Sequence, residues 1–304
     1  MVRMTWGELP KEAVAFVESV LGGKVVWAQS QPGGFSVSVA SRVLTETGVS
    51  GFVKAVPRVV DPVTYDLVVL EAEVMTVLPS TLPAPRLRGW RDGIGQAHWI
   101  VLVFDDIEGL APEGLGDVES VLHTIASLPP ATGAAAELPD AGDELSPAFS
   151  LWRKVPANCA ALAGWSVSDV AKIYELAESA VDVVRGDRIV HNDLRLDNIL
   201  IDEAGKVWLV DWPHCVQGSP MFDGLLFVVD CLRNDPLFDI DQALMHDLFS
   251  SSPARNIDAV LAGYAAYCVY MAEQPSPPGA PTVREMQRDT AKMLLDLLQR
   301  RWNV

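Results

Sequence analysis

The chain is short of positive charge, of patterned cysteine and of long apolar runs, and each shortage closes off a class of function. Lysine and arginine number 23 against 40 aspartates and glutamates, a formal net charge of −17. A field of that sign repels nucleic-acid phosphates and anionic membrane surfaces. It argues against both as partners and suits a cationic ligand, although solubility alone also accounts for it. The four cysteines, Cys159, Cys215, Cys231 and Cys268, form no C-x-x-C pair and no metal-like spacing. No disulfide framework is expected, which fits a reducing compartment. The apolar run Leu225–Val229 is far too short to span a bilayer. Residues 1–21 carry Glu8, Lys11, Glu12 and Glu18, and so lack the apolar core of a signal peptide. The expectation is a soluble, cytoplasmic protein with neither membrane nor nucleic-acid partner; its oligomeric state is not legible.

What is present reads first as strand and then as helix. Residues 10–21 have the pattern of a short amphipathic helix that Gly22-Gly23 ends. Three β-type runs follow: Val25–Trp27, Ser36–Leu44 with Val37, Val39 and Val43 on one face, and Phe52–Val56. Tyr65–Leu78 has helical spacing, and Pro79, Pro83 and Pro85 stop it. Trp99–Phe104 is apolar at every position, as a buried strand would be, and Asp105–Gly109 breaks it as a candidate hinge. Beyond it, Val118–Leu128 reads as helix and the Ala-, Pro- and Gly-rich stretch 129–147 as a loose surface connection. A helix is expected over Ser168–Val184 with Ser168 as its N-cap. Ile189-Val190 and Val207–Val210 read as short strands. Four helices follow at Phe222–Leu232, Asp241–Phe249, Ile257–Met271 and Val283–Trp302. This order predicts an α+β fold with two unlike lobes, a β-rich one over 1–104 and a mostly helical one over 105–304.

The chemistry is concentrated in His191-Asn192-Asp193-Leu194-Arg195-Leu196-Asp197-Asn198, whose spacing matches the kinase catalytic-loop pattern His-x-Asp-Leu-x-x-x-Asn. Thirteen residues after Asn198 comes Asp211, closing the apolar run 207–210. Phosphoryl transfer needs an acceptor hydroxyl in line with the γ-phosphate and cations to neutralise that phosphate. Asp193 is the candidate to take the hydroxyl proton. Asn198 and Asp211 offer hard oxygens to Mg²⁺, and Arg195 a guanidinium fork to the moving phosphate. Upstream, Lys54 sits in the third β run, resembling the strand lysine that holds nucleotide phosphates. Glu71 lies seventeen residues on, in the next helix, where it would pair with Lys54. Glu73 competes for that pairing. A polar turn of the same composition would match part of this by chance; the whole ordered set argues against that reading.

On these residues the chain resembles the aminoglycoside phosphotransferase family of the protein-kinase-like superfold, which also holds choline and homoserine kinases. The resemblance runs from about residue 25 to residue 235. The motifs that carry it are 31–36, 52–56, 71–78, 103–109, 191–200 and 210–213. It implies ATP and Mg²⁺ as cofactors and transfer to a hydroxyl of a small molecule, foremost an aminoglycoside or related antibiotic, with resistance as the role. Choline, homoserine or sugar kinases are the alternatives, and a nucleotide-binding regulatory pseudokinase is another. It also implies that the backbone of Asp105 and Ile107 meets the adenine, that Ser36 covers the phosphates, and that Asp223 braces the catalytic loop, a plain N-cap being the bland alternative. Departures from protein kinases are informative. The turn is not G-x-G-x-x-G, Trp212-Pro213 stands where Phe-Gly is usual, and Asn192 replaces an arginine. Only twelve positions separate Asp211 from Asp223, with no A-P-E, which leaves little room for a peptide-docking ledge. Six carboxylates near the helical end (Asp230, Asp235, Asp239, Asp241, Asp247 and Glu273) would suit a cationic acceptor if they lined a pocket. The aromatics Trp152, Trp165, Tyr264 and Tyr267 would either stack on it or pack in the core or at the rim.

Overall fold

Alternation along strands and caps at helix ends divide the chain into elements. The computed structural model describes residues 3–31, 38–156, 159–277 and 281–302. The elements gather into two compact units. One runs to Leu110 and adds Leu200–Pro213; the other takes Ala111–Ile199, His214–Pro277 and the stretch from Pro281 onward. In chain order the first part forms α1 (Lys11–Leu21), β1 (Val25–Ser30), β2 (Val39–Thr45), β3 (Ser50–Pro57), α2 (Pro62–Val77), β4 (Leu87–Ile94), β5 (Trp99–Phe104) and β6 (Gly109–Leu110). Next come α3 (Gly114–Ala126), α4 (Ala141–Phe149), α5 (Val167–Val183), β7 (Arg188–Val190), β8 (Ile199–Asp202), β9 (Val207–Leu209) and β10 (Val216–Gly218). The chain ends in helices α6 (Pro220–Asn234), α7 (Ile240–Ala243), α8 (Asp247–Ser250), α9 (Ala254–Ala272) and α10 (Val283–Trp302). The fold class is α+β, as expected.

In the first unit an antiparallel sheet, ordered β1-β2-β3-β5-β4, carries one helix on each face. α1 ends at Gly22, whose φ of 73° is open to glycine without a Cβ penalty. It buries Ala13, Val17 and Leu21 against Val53 and Ala55 of β3 and Val101 and Val103 of β5. α2 starts at an Asp61 cap, which accepts the Thr64 N–H at 3.0 Å, and Pro62 supplies a pre-set first turn. Its Tyr65, Val68 and Ala72 pack on Val56, Ile100, Leu102 and Phe104. β5 therefore buries both of its faces, which is why its sequence is apolar without interruption. Side chains alternate along a strand, so Lys54, between Val53 and Ala55, shares the α2 face with Val56. The β8–β9 hairpin joins β6 in a small three-stranded sheet, and Leu209 N–H donates to the Pro83 carbonyl at 2.7 Å.

The second unit is helical around α9, which packs against α5 and α10. Ala259, Ala262, Ala265 and Ala266 keep α9 narrow and buried. A two-stranded ribbon, β7 with β10, leads the chain into residue 191. Among the described residues no helix is long and apolar enough to cross a membrane. The four cysteines are all free thiols.

Several local expectations are corrected. The stretch 129–147 is not a loose connection: it contains most of α4, whose first turn hangs on Asp140 (accepting Gly142 N–H at 2.9 Å) and whose last residue, Phe149, is buried. Ser166, not Ser168, caps α5, accepting the Asp169 N–H at 3.1 Å. The helix expected over Asp241–Phe249 is two single turns, α7 and α8. β4 was unforeseen because its pattern is largely exposed and polar, as an edge strand allows. Trp152 and Trp165 are packing residues rather than stacking platforms. Trp152 stacks on Tyr174 with centroids 5.5 Å apart and donates Nε1–H to Ala262 O at 2.9 Å, while Trp165 meets Trp302 edge-on at 5.9 Å.

Candidate active site

In the first unit, a lysine on a buried strand face needs compensating charge, and two carboxylates supply it. Lys54 Nζ lies 2.6 Å from Glu71 Oε2 and 2.5 Å from Asp211 Oδ1. Glu71 is 3% exposed, and the Trp212 backbone N–H also donates to it. Glu73, the competing candidate, is exposed and makes no ion pair among the described residues. Burial disfavours the Lys54 ammonium, but Asp211 and Glu71 outweigh it and hold its pKa above the ordinary lysine value. Burial pushes Glu71 up, against the pull of Lys54. Asp211 adopts φ of 69°, a left-handed backbone uncommon outside glycine, and one that functional loops retain where the surroundings enforce it. Trp212, 1% exposed, wedges behind it with Nε1–H on Leu209 O at 2.8 Å. Arg3, which sequence reasoning missed, places its guanidinium within electrostatic reach of Asp211. No motif marks it.

The segment after β5 is fastened by arginines of neighbouring strands. Arg42 of β2 grips Asp106 through Nε at 2.7 Å and Nη2 at 2.9 Å, and reaches Glu108 at 2.6 Å. Arg88 of β4 pairs with Asp105 at 2.5 Å. The Asp105 N–H donates to the Arg86 carbonyl at 2.9 Å, so its own carbonyl is the backbone group it has to offer; Ile107 is half-buried two residues on. Ser36 and the glycine turn before it lie outside the described residues.

The second unit carries the catalytic-loop motif. β7 ends at Val190, and the next two amides, His191 N–H and Asn192 N–H, donate to Asp223 of α6 at 2.7 and 2.9 Å. Asp223 is fully buried inside the first turn of α6, whose N-cap position is Ser219, so the plain N-cap alternative is set aside. Burial pushes its carboxyl up to about 7, although both amide bonds pull it down. His191, also fully buried, accepts the Asp193 N–H at Nδ1 at 3.3 Å. Asn192 takes φ of 66°, which asparagine tolerates better than most residues. Asn198 donates Nδ2–H to the Asp193 carbonyl at 2.8 Å, and the planar amide therefore turns its oxygen the other way. Arg195 pairs with Asp197 at 3.1 Å and stands 3.8 Å from Asp193 Oδ2. Burial opposes its charge, and Asp193, Asp197 and Asp230 together raise its pKa. Tyr264 and Tyr267 of α9 are pushed up by burial, and Asp193 adds to both shifts, which brings them within its field.

Most of the late carboxylates already have work within the chain. Asp230 accepts from Leu196 N–H at 2.9 Å and pairs with Arg233. Asp235 accepts from Leu237 N–H, Asp239 caps α7 through Gln242 N–H, and Asp241 pairs with Arg300 at 3.4 Å.

Comparison with curated proteins returns no match. Comparison with solved structures returns folds that align over nearly the whole chain at low identity. A thermostable mutant of aminoglycoside phosphotransferase APH(4)-Ia, in ternary complex with AMP-PNP and hygromycin B, aligns with TM-score 0.59 and 13% identity, covering 96% of this chain and 98% of that one. Spectinomycin phosphotransferase APH(9)-Ia with ADP and its substrate aligns at 0.56 and 13%, over 96% and 98%. The choline kinase LicA from Streptococcus pneumoniae aligns at 0.51 and 14%, over 93% and 96%. These likenesses establish a protein-kinase-like fold. The sequence model of the phosphotransferase enzyme family matches residues 32–267, a stretch that contains Lys54, Glu71, Asp193, Asn198 and Asp211, and the chain belongs to that family.

Proposed function

We propose that the chain moves the γ-phosphate of ATP to a hydroxyl of a small molecule. The observation that carries this reading is Lys54, joined at 2.6 Å to Glu71 and at 2.5 Å to Asp211. A buried ammonium kept charged and aimed by two carboxylates suits the α- and β-phosphates of a nucleotide. The backbone of Asp105 and Ile107 would meet the adenine and Ser36 the phosphates. The Mg²⁺ that this chemistry implies fits the donors. Asn198, whose amide oxygen is turned away from the Asp193 carbonyl, and Asp211 each carry a hard oxygen of the kind Mg²⁺ takes and would hold the ion. Bound there, the ion would neutralise charge on the phosphates. The acceptor hydroxyl oxygen forms the new P–O bond while its proton passes to Asp193, and the β–γ bridging oxygen leaves with ADP. Arg195, 3.8 Å from Asp193, would meet the transferring phosphate.

Aminoglycosides are the first acceptor class to test, because structures of the same fold hold hygromycin B and spectinomycin. A second reading, a metabolite kinase of choline, homoserine or sugar type, draws on the late carboxylates. Asp230 and Asp241 are ion-paired, and Asp235 and Asp239 accept backbone amides, so they make a poor cage for a polycation. A coupled ADP-release assay with Mg²⁺, ATP and a panel spanning both classes tests this, with Asp193→Ala run beside wild type. The expected result is an acceptor-stimulated signal that falls about 10²–10⁴-fold in the variant, with ATP binding retained. Undiminished turnover in Asp193→Ala would remove the base from the scheme. ATP binding with no turnover on any acceptor would favour a nucleotide-binding regulatory protein.

A further inference from the structure

The loop that carries Asp193 is gripped from α6 twice, and only the first grip was implied by the family resemblance. Asp223 and Asp230 are seven residues apart, two helical turns, and so lie on one face of α6. Asp223 takes the amides at the start of the loop, His191 and Asn192. Asp230, 6% exposed, takes the Leu196 amide at its end with Oδ2, at 2.9 Å. Its other oxygen, Oδ1, holds the Arg233 guanidinium through Nε at 2.9 Å and through Nη2.

We infer that Asp230, charge-balanced by Arg233, is a positioning residue for the transfer reaction, fixing the far end of the catalytic loop. Leu196 opens the 3₁₀ turn Leu196–Asn198, so the Asp230 contact sets where that turn begins. Asn198 in turn donates to the Asp193 carbonyl, which ties the metal-side amide to the base. The base thus sits between two amides fixed to one rigid helix, Asn192 and Leu196. A carboxylate serving only its own helix would be satisfied by Arg233 three residues on. Here one oxygen is committed to a backbone amide 34 residues earlier in the chain. Arg195 also lies in the field of Asp230, so the same group biases the side chain next to the base.

The inference rests on reading Asp193 as the base, and the experiment separates the two. Asp230→Ala, Asp230→Asn, Arg233→Ala and Arg233→Lys are compared with Asp193→Ala. Three quantities are read: amide hydrogen exchange across 190–199, affinity for a fluorescent ATP analogue, and ADP release at saturating ATP, with an accepted hydroxyl where one is found and with water otherwise. Asp230→Ala should speed exchange at 196–198 while His191 and Asn192 stay protected. It should lower kcat by about 10–100-fold, the scale of a roughly 1 Å misplacement, with ATP affinity within about twofold of wild type. Arg233→Lys should recover most of what Arg233→Ala loses. Unchanged exchange at 196–198, unchanged kcat, or a loss of kcat matched by equal losses of ATP affinity and of protection throughout the chain would each overturn the positioning role. Full turnover in Asp193→Ala overturns it by another route, since the base reading then fails whatever Asp230 does.

Discussion

In the first unit Lys54 is held by side-chain charge: one ammonium lies between two carboxylates, and one of these, Glu71, is almost wholly buried. In the second unit Asp193 is held through its backbone, because the amides around it donate to Asp223 and Asp230 while its own carboxylate stays 38% exposed. The two arrangements suit different tasks. Under the proposed transfer, a group that neutralises phosphates would be kept charged by opposite charge, whereas a group that accepts a proton would be aimed by fixing the backbone on either side of it. The first should therefore break by charge imbalance and the second by loss of geometry.

The largest stability effect should come from the first. Lys54→Met leaves the buried Glu71 carboxylate facing Asp211 without its cation and should cost about 3–5 kcal/mol in denaturant unfolding. Adding Glu71→Gln should return a good part of that loss while ATP affinity stays low. A double variant as unstable as the single would mean that packing, not charge, governs the cluster. In the second unit, a Cβ on Gly218 would meet Ala141 Cβ at 2.6 Å and the Val184 carbonyl at 2.9 Å, beside the ribbon that delivers the loop. Gly218→Ala should cost about 1–3 kcal/mol by overpacking. It should lower kcat without weakening nucleotide binding, and an equal loss of ATP affinity would erase the contrast between the units.

A smaller, pH-dependent effect separates the two kinds of carboxylate. The folded-state pKa of Asp223, about 7, lies above its ordinary value of 3.8. The folded protein therefore binds this proton more tightly than the unfolded chain. The resulting stability is complete below pH about 4 and lost as pH rises through about 7. The melting temperature of wild type minus that of Asp223→Asn should fall across this window, and a difference independent of pH would contradict the shift. Glu73→Gln is the control with the least effect. It removes an exposed charge two residues from Glu71 and should change stability by less than about 0.5 kcal/mol, with turnover unaltered.

Legibility in the sequence followed burial. β5 was readable to the residue because both of its faces are covered, and the loop motif because chemistry fixes its spacing. Lys54 stood out as a charge inside an apolar strand, and its partner was narrowed to two glutamates that only the helix phase could separate. β4 escaped because an edge strand need not be apolar, and α4 because alanine and proline suggest a linker until Asp140 and Phe149 are seen to anchor it. Asp230 read as one of six carboxylates that would suit a cationic acceptor if they lined a pocket. Nothing in a helical Asp-x-x-Arg announces that one oxygen reaches a loop 34 residues upstream. The same limit applied to Asp235, Asp239 and Asp241, whose caps and ion pairs are written in three dimensions only.

The hairpin Leu200–Pro213 belongs to the first unit, yet the chain reaches it only after passing through Ala111–Ile199. On the ribosome, the five-stranded sheet and the Lys54–Glu71 pair can form as soon as β5 has emerged. Asp211 arrives more than a hundred residues later, so the nascent first unit has its lysine and one carboxylate but not the other. The first unit therefore matures late, and a chain arrested before Asp211 should fold its sheet while lacking the complete charge cluster.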